Sequence, residues 1–516
     1  MTTKTRCFIY AFLILLALSF RLFIAIRLPN DEPDDGRVYS QIARNILEQH
    51  VYSIENQAPY TPTLIRLPGY PLFITAIYAV FGHGNNTAVR VAQALLDTLT
   101  CLLIALVAFQ WTMNDERKNR AAIIALALAA ICPFTAIYVA TILTEVATNF
   151  LAVAMVLTAT LAFKSSTRKR IILWWIATGL LAGLSVFFRP DSGLFAAAIG
   201  LTLMLPSLTG FKKFREATLH AAVFSIAFCL VLVPWTIRNR RLFHVFQPLA
   251  PAHAEMPGEF VPRGYLLWVR TWLDDQRYVA PSLWAMDTRQ IHVEDFPARA
   301  FDSKEERDRV AALFDKYNHP DGNEDEQATD DQNNQDDSSG NDEDQPEEEP
   351  EPEESPEPPD SNVEMTPEID AGFAQIGQER VAHSRLRYYV VLPFKRAMTL
   401  WFDTHSQYYP FNGELLPLAD LDYDIHQQYW LPLFAGLTGI YTLLGVIGGW
   451  LMWRSRNVDA RRWLLMAALL MFLRLGFFAT LENPEPRYTV ELFPFLILLG
   501  AVGLATVFRQ DLREKS

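Results

Sequence analysis

Cysteine is scarce in this 516-residue chain, and what is missing around it is informative. The four cysteines, Cys7, Cys101, Cys132 and Cys229, share no metal-ligand spacing, which excludes a zinc finger or ribbon. All four sit in or beside apolar runs, where cysteine behaves as a small buried hydrophobe. No small-residue cleavage site follows the first apolar run, so that run is expected to remain as an uncleaved anchor behind Lys4 and Arg6. No internal repeat is visible. Between Asp321 and Asp360 there is no Lys or Arg, although the segment holds 19 Asp and Glu. Without those nineteen charges the formal net charge moves from −13 to +6. The pI near 5.3 therefore describes one segment and gives no ground for a nucleic-acid partner. That segment, about 319–366, is also Pro-rich and without aromatics, a composition that predicts disorder. It lacks the D-x-D-x-D-G-x5-E spacing of a calcium loop.

What the chain does have is apolar sequence in long runs. Half of its residues are hydrophobic, and Phe8 to Ile26 is apolar apart from Ser19 and Arg21, enough to cross roughly 30 Å of hydrocarbon. Hydropathy places spans at 7–28, 87–112, 120–140, 142–163, 171–188, 193–209, 217–236, 431–453, 462–481 and 488–508. The expected fold is an all-α polytopic membrane protein of about ten transmembrane helices, with a large outer loop between spans 7 and 8. The basic loops Arg117 to Arg120, Lys164 to Arg170, Lys212 to Arg215, Arg454 to Arg462 and the tail after Arg509 fall on one side if 69–82 does not cross. At about 14 residues that stretch is short for a span and suits a helix in the interface. Both termini are then cytoplasmic, in a bacterial inner membrane. The segments 29–86, 237–430 and 482–487, and the turns around Ala140 and Arg189, face outward.

Three regions follow: 1–240 with its first outer loop 29–86, an extracytoplasmic segment 241–430, and 431–516 with three spans and a short cytoplasmic tail. In the first loop, Tyr39, Ile42, Ala43, Ile46 and Leu47 keep a helical apolar spacing, with Arg37, Gln41, Arg44 and Glu48 opposite. A surface helix over 38–50 is predicted, and a second begins at Pro68-Gly69-Tyr70-Pro71. Residues 237–318 carry enough aromatic sequence to fold, and 380–410 suits an amphipathic segment resting on the bilayer.

The outward ends collect ionisable residues: Asp31, Glu32, Asp34, Asp35, Glu145, Arg66, Arg189, Arg238 and Arg487. Charges at a membrane boundary are costly and often functional. Each also has a plain structural explanation. Asp34 or Asp35 suits a helix N-cap, Glu145 suits the positive end of its helix, and Arg189 and Arg487 can snorkel to lipid phosphate. Together they make a different pattern. Arginine grips a phosphate leaving group through two parallel bonds, and a carboxylate beside it can take the proton of an attacking hydroxyl. A carboxylate with an ordinary pKa near 4 is a poor base, so burial is expected to raise that of Asp35.

The strings that carry these residues occur in one order: Asp35-Gly-Arg-Val-Tyr39, Arg66-Leu-Pro-Gly-Tyr70-Pro, Leu-Thr-Glu145, Phe-Arg189-Pro, Pro-Trp-Thr-Ile-Arg238-Asn and Pro-Arg487-Tyr488. Together they resemble the bacterial membrane glycosyltransferases related to protein O-mannosyltransferases and to the aminoarabinose transferase of lipid A, which form the GT-C fold class. The resemblance covers residues 7–508 without the acidic segment. It implies a seven-span module whose first outer loop bears two juxtamembrane helices. It also implies inverting transfer of a sugar from a polyprenyl-phosphate donor, at the outer leaflet, to a glycolipid, polysaccharide or protein acceptor. Asp35 corresponds to the catalytic base and Glu145 to a second acidic position. Tyr39, Arg66, Tyr70, Arg189, Arg238, Arg487 and Tyr488 fall at substrate-binding positions. No paired His stand near Asp35, and the resemblance leaves use of a divalent metal open. The competing function is a transporter or lipid flippase, which predicts midplane polar residues and inverted repeats. A scaffold recruiting cationic partners through the acidic segment would leave the Asp, Arg and Tyr strings without a purpose.

Overall fold

The computed structural model describes residues 2–28, 34–320, 363–402, 423–455 and 457–507. Most of the expected acidic segment, and Asp31 and Glu32, lie outside the described residues. Among the described residues, nine helices are long and apolar enough to cross a membrane, and a bent pair makes a tenth. The chain is a multi-pass membrane protein.

Two compact units divide it. The first comprises Met1–Glu259, Ala397–Thr480 and Glu485–Ser516, and the second Phe260–Arg396 and Leu481–Pro484. The first unit runs on past 240 to Glu259. The stretch past 240 returns to the bundle, where Asn239 Nδ2 donates to Gln247 O at 2.8 Å and Thr63 Oγ1 to Met256 Sδ at 3.6 Å.

In the first unit, α1 (Thr3–Arg27) leads to α2 (Asp34–Glu48) and α3 (Gly69–Phe81), which pack on each other. These are the two short helices of the first loop. The long helix α4 (Asn86–Trp111) follows, then α5 (Asp115–Ala130). The third span, expected to be continuous over 120–140, is broken: α5 ends at Ala130, and Pro133–Val139 continues at 54° to it. Pro133 lacks an N–H to continue the ladder and drives Cys132 out of the helical region, to φ −68°, ψ 113°. In hydrocarbon the freed carbonyls must find donors. Arg21 on α1 supplies them, donating to Ala130 O and Ala129 O at 3.0 Å each while its Nε bonds Asp97 of α4 at 2.6 Å. Gln93 does the same further on, donating to Thr141 O at 2.8 Å. The one arginine interrupting the first apolar run is thus explained by a proline in the third.

The next spans are α7 (Glu145–Lys164), α8 (Arg168–Phe188), α9 (Gly193–Met204) and α10 (Phe211–Phe243), with α6 (Pro133–Ala136) as the short piece after the break. Gly179 and Gly183 let α8 meet α10 closely. A Cβ at Gly179 would stand 2.3 Å from the Phe224 carbonyl oxygen, the small-residue contact expected where no water drives helices together. The C-terminal helices α15 (Tyr423–Arg454), α16 (Val458–Ala479) and α17 (Phe493–Val507) complete the bundle. The helix α17 is its most buried member and packs on α15, α5 and α4. Phe134, at the break, stacks on Phe493 at 4.2 Å between centroids.

The second unit is built from α11 (Arg263–Arg270), α12 (Lys304–Asn318) and α13 (Pro367–His383) around Tyr265, Trp268, Trp272, Phe296, Phe314 and Phe373. Arg380 closes it, bonding Ala300 O at 2.9 Å and Asp302 at 3.1 Å. Near its end at Arg396, Leu386, Tyr389, Val390 and Phe394 are exposed, the last on α14 (Leu392–Phe402).

Candidate active site

A cavity of about 260 Å³ opens in the first unit at the end of the bundle where α2 begins and α8 ends. Its wall is set by helix ends, and the sequence shows why each is there. Asp35 lies in the first turn of α2 and Glu145 is the first residue of α7, so both carboxylates sit where helix dipoles favour negative charge. Arg189 follows α8 in extended backbone, φ −147°, ψ 126°, because Pro190 disfavours the helical region for the residue before it. Arg487 and Tyr488 come from a 3-10 turn, Pro486–Leu492, with proline at its start.

Asp35 is held between two arginines. Its Oδ1 accepts from Arg66 Nη2 at 2.8 Å, and Oδ2 accepts from Arg487 Nη2 at 3.4 Å. It lies one position inside α2, whose first helical residue is Asp34. The expected rise in its pKa is reversed. Burial raises it, but the charges of Arg487 and then Arg66 outweigh burial and leave the carboxyl below its ordinary value. Tyr39, one turn on, is pushed up to about 12 by burial and by Asp35, so its hydroxyl stays protonated.

The deeper wall is a second ionic group. Arg189 donates from Nη1 to Glu145 Oε1 at 2.7 Å and from Nε to Asp191 Oδ1 at 3.2 Å, and reaches Glu491 at 3.4 Å. Arg189 thus makes a buried three-carboxylate contact and does not snorkel. Burial disfavours its charge, yet Asp191, Glu491 and Glu145 prevail and raise its pKa. Arg474 of α16 completes the group, bonding Asp191, Glu491 at 2.8 Å and Tyr488 O at 2.9 Å. The guanidinium groups of Arg189 and Arg487 lie 5.4 and 5.3 Å from the Tyr488 ring centroid, within cation–π range.

Of the residues expected at the site, Asp35, Tyr39, Arg66, Glu145, Arg189, Arg487 and Tyr488 line the cavity. Tyr70 stands behind it, its hydroxyl donating to Gln93 at 2.7 Å and its ring meeting Tyr39 at 5.1 Å. Arg238 is also behind. It donates to Thr63 O at 2.9 Å and lies 4.6 Å from the Trp235 ring, steadying the chain that leads to Arg66. The sequence reading missed Asp191, Arg474, Glu485, Glu491 and the rim Ala250–Ala254 with His253. Arg474 and Glu491 are charges inside apolar spans, a costly placement that marks them, while Asp191 and Glu485 stand at span ends within two residues of Arg189 and Arg487. Among the described residues, no three His, Cys, Asp or Glu side chains stand close enough together to hold a metal ion.

A helical bundle with two short helices between its first two spans, and a charged cavity at that end, narrows the class. The family model for dolichyl-phosphate-mannose-protein mannosyltransferases matches residues 62–237. The archaeal oligosaccharyltransferase AglB from Archaeoglobus fulgidus, solved with an inhibitory peptide and a dolichol-phosphate, matches at 13% identity and TM-score 0.50, over 100% of this chain and 52% of its own. ArnT from Cupriavidus metallidurans bound to undecaprenyl phosphate matches at 14% identity and TM-score 0.40, over 99% of this chain and 79% of its own. No curated protein matches the sequence. The chain has the GT-C fold of membrane glycosyltransferases.

Proposed function

We propose that the protein transfers a hexosyl- or pentosyl-type sugar from a polyprenyl-phosphate donor to a glycolipid, polysaccharide or protein acceptor at the outer face of the bacterial inner membrane. The observation that carries this reading is Asp35 clamped between Arg66 and Arg487 on the wall of one cavity. The match of residues 62–237 to a family named for dolichyl-phosphate-mannose transfer, and the dolichol-phosphate in the AglB structure, support the donor class. The basic loops on the opposite side support the outward orientation.

A donor phosphate entering the cavity takes the donors of Arg66 and Arg487 that now hold Asp35. Asp35 then loses its lowering charges and gains an anionic neighbour, and both changes increase its proton affinity. An acceptor hydroxyl oxygen forms the new bond to the anomeric carbon as the bond from that carbon to the phosphate oxygen breaks. The hydroxyl proton passes to Asp35, and the polyprenyl phosphate leaves paired with the arginines. A single displacement inverts the anomeric carbon. Glu145 and Arg189 hold the facing wall, and Tyr39 offers a protonated hydroxyl to the sugar.

The test is Asp35→Asn in the full-length chain, reconstituted in liposomes with polyprenyl-phosphate sugars. Transfer is expected to fall by about 10²- to 10⁴-fold, the usual contribution of a general base. Full activity in Asp35→Asn would sink the assignment.

A further inference from the structure

A buried carboxyl beside Arg487 takes no part in the proposed transfer. Glu485 is wholly buried at the start of the turn that carries Arg487. Its Oε2 lies 3.0 Å from Arg487 Nε. The approach is a charge contact without hydrogen-bond alignment, and Oε1 has no hydrogen-bond partner. A buried carboxylate so poorly satisfied is expensive. The groups that face it are Arg487 and Tyr488 in its own turn, Asp35 on α2, Glu145 on α7 and Arg189 after α8. Burial, together with the two carboxylates, outweighs the arginines and pushes its pKa up to about 7. Arg487 is thus shared. Its Nε edge faces Glu485, and its Nη2 reaches Asp35 at the longer distance of 3.4 Å.

Resting on the glycosyltransferase reading, we propose that Glu485 is a positioning residue that competes with Asp35 for Arg487, so that its protonation state sets how strongly that arginine restrains the base. Ionised Glu485 draws Arg487 by its Nε edge and adds a negative charge near Asp35, which keeps Asp35 more basic. Neutral Glu485 releases the full arginine charge to Asp35 and to the donor phosphate. Donor binding then tightens while proton transfer to Asp35 weakens.

Two measurements on the full-length protein test this. Difference infrared spectroscopy from about pH 5 to about pH 9 is expected to show the carbonyl band of a protonated carboxyl that fades through neutrality. The band should vanish in Glu485→Gln and persist in Glu145→Gln. A band that survives in Glu485→Gln, or no such band in the unaltered protein, overturns the proposal without reference to any substrate. With a polyprenyl-phosphate sugar, kcat of the unaltered protein should rise with pH through neutrality. In Glu485→Gln that rise should be absent, kcat should fall about tenfold above neutrality and donor KM should drop several-fold. Glu485→Asp should keep the rise with a shifted midpoint. A fall in kcat that is uniform with pH, with the titration intact, would show a merely structural role and overturn the proposal. If no donor is turned over by the unaltered protein, the functional reading fails while the infrared result still decides the position of Glu485.

Discussion

The protein contains two Arg–Asp pairs of nearly the same geometry and opposite use. Arg21 and Asp97 meet at 2.6 Å with 0% and 1% of their side chains exposed, while Arg66 and Asp35 meet at 2.8 Å with 25% and 28% exposed. Distance does not separate them. What separates them is where the other donors of the arginine go. Arg21 spends them on the carbonyls of Ala129 and Ala130 at the broken third span, so replacing its partner leaves a charge in hydrocarbon with no exit. Arg66 and Arg487 each point one Nη2 at a carboxylate on the wall of an open cavity, with Arg66 Nη1 near Ile65 O at 3.4 Å and Arg487 Nε near Glu485 at 3.0 Å. That contact is partly exposed, so an anion of suitable shape can compete for it. A closed pair maintains a fold, and an open pair is available to a ligand.

The difference can be broken by exchanging the readouts. Asp35→Asn should lose transfer by about 10²- to 10⁴-fold and leave thermal stability nearly unchanged. Asp97→Leu should do the reverse. Breaking a buried pair by removing one partner costs about 3–5 kcal/mol, seen as a lower unfolding midpoint and lower yield, with kcat of the folded fraction retained. A large stability loss for Asp35→Asn, or a selective kcat loss for Asp97→Leu, would mean that exposure does not distinguish the two roles.

Much of this arrangement was legible in the sequence, and the limits have physical causes. The helices of the first loop were visible because their period differs from that of a span: α2 is amphipathic, and α3 is apolar but only 13 residues long. The break in the third span was not visible. Hydropathy sums apolar residues, and the residues on either side of Pro133 are as apolar as those of any span. The pairing of Asp35 with Arg487 crosses 452 positions, and no local pattern encodes it. The sign of the Asp35 shift was lost for the same reason, since burial is suggested by sequence but the arrival of two guanidinium groups is not. Glu485 and Glu491 stood two positions before and four after Arg487, but their place at the end of an apolar span and inside it names no partner. Only the fold shows that the first has no adequate partner and the second has Arg474.

A smaller effect sharpens what the open pair recognises. Arg487→Lys keeps the charge but replaces a planar fork by a point charge. Donor KM should rise about tenfold, equivalent to about 1.4 kcal/mol, with kcat changed less. An equal fall in kcat at unchanged KM would place Arg487 on the reacting atoms and not on the ground-state phosphate.

The smallest expected effect separates the two carboxyls that share Arg487, through stability and not through turnover. Asp35 has a depressed pKa in the folded protein, so its contribution is complete above its unfolded value near 4 and is lost as pH falls through the lower folded value. Glu485 has a raised pKa. Its contribution is complete below its unfolded value, roughly 4.3, and is lost as pH rises through about 7. Unfolding midpoints of the detergent-solubilised protein should therefore shift by a few degrees in opposite directions. Between mildly acidic and neutral pH, Glu485→Gln should remove a loss that the unaltered protein shows, while Asp35→Asn should keep it. Below the ordinary carboxylate range the positions reverse, and Asp35→Asn becomes the variant that loses least. If both substitutions altered the same limb, Arg487 would be bound to one carboxyl alone, and the competition that links the cavity wall to the turn behind it would not exist.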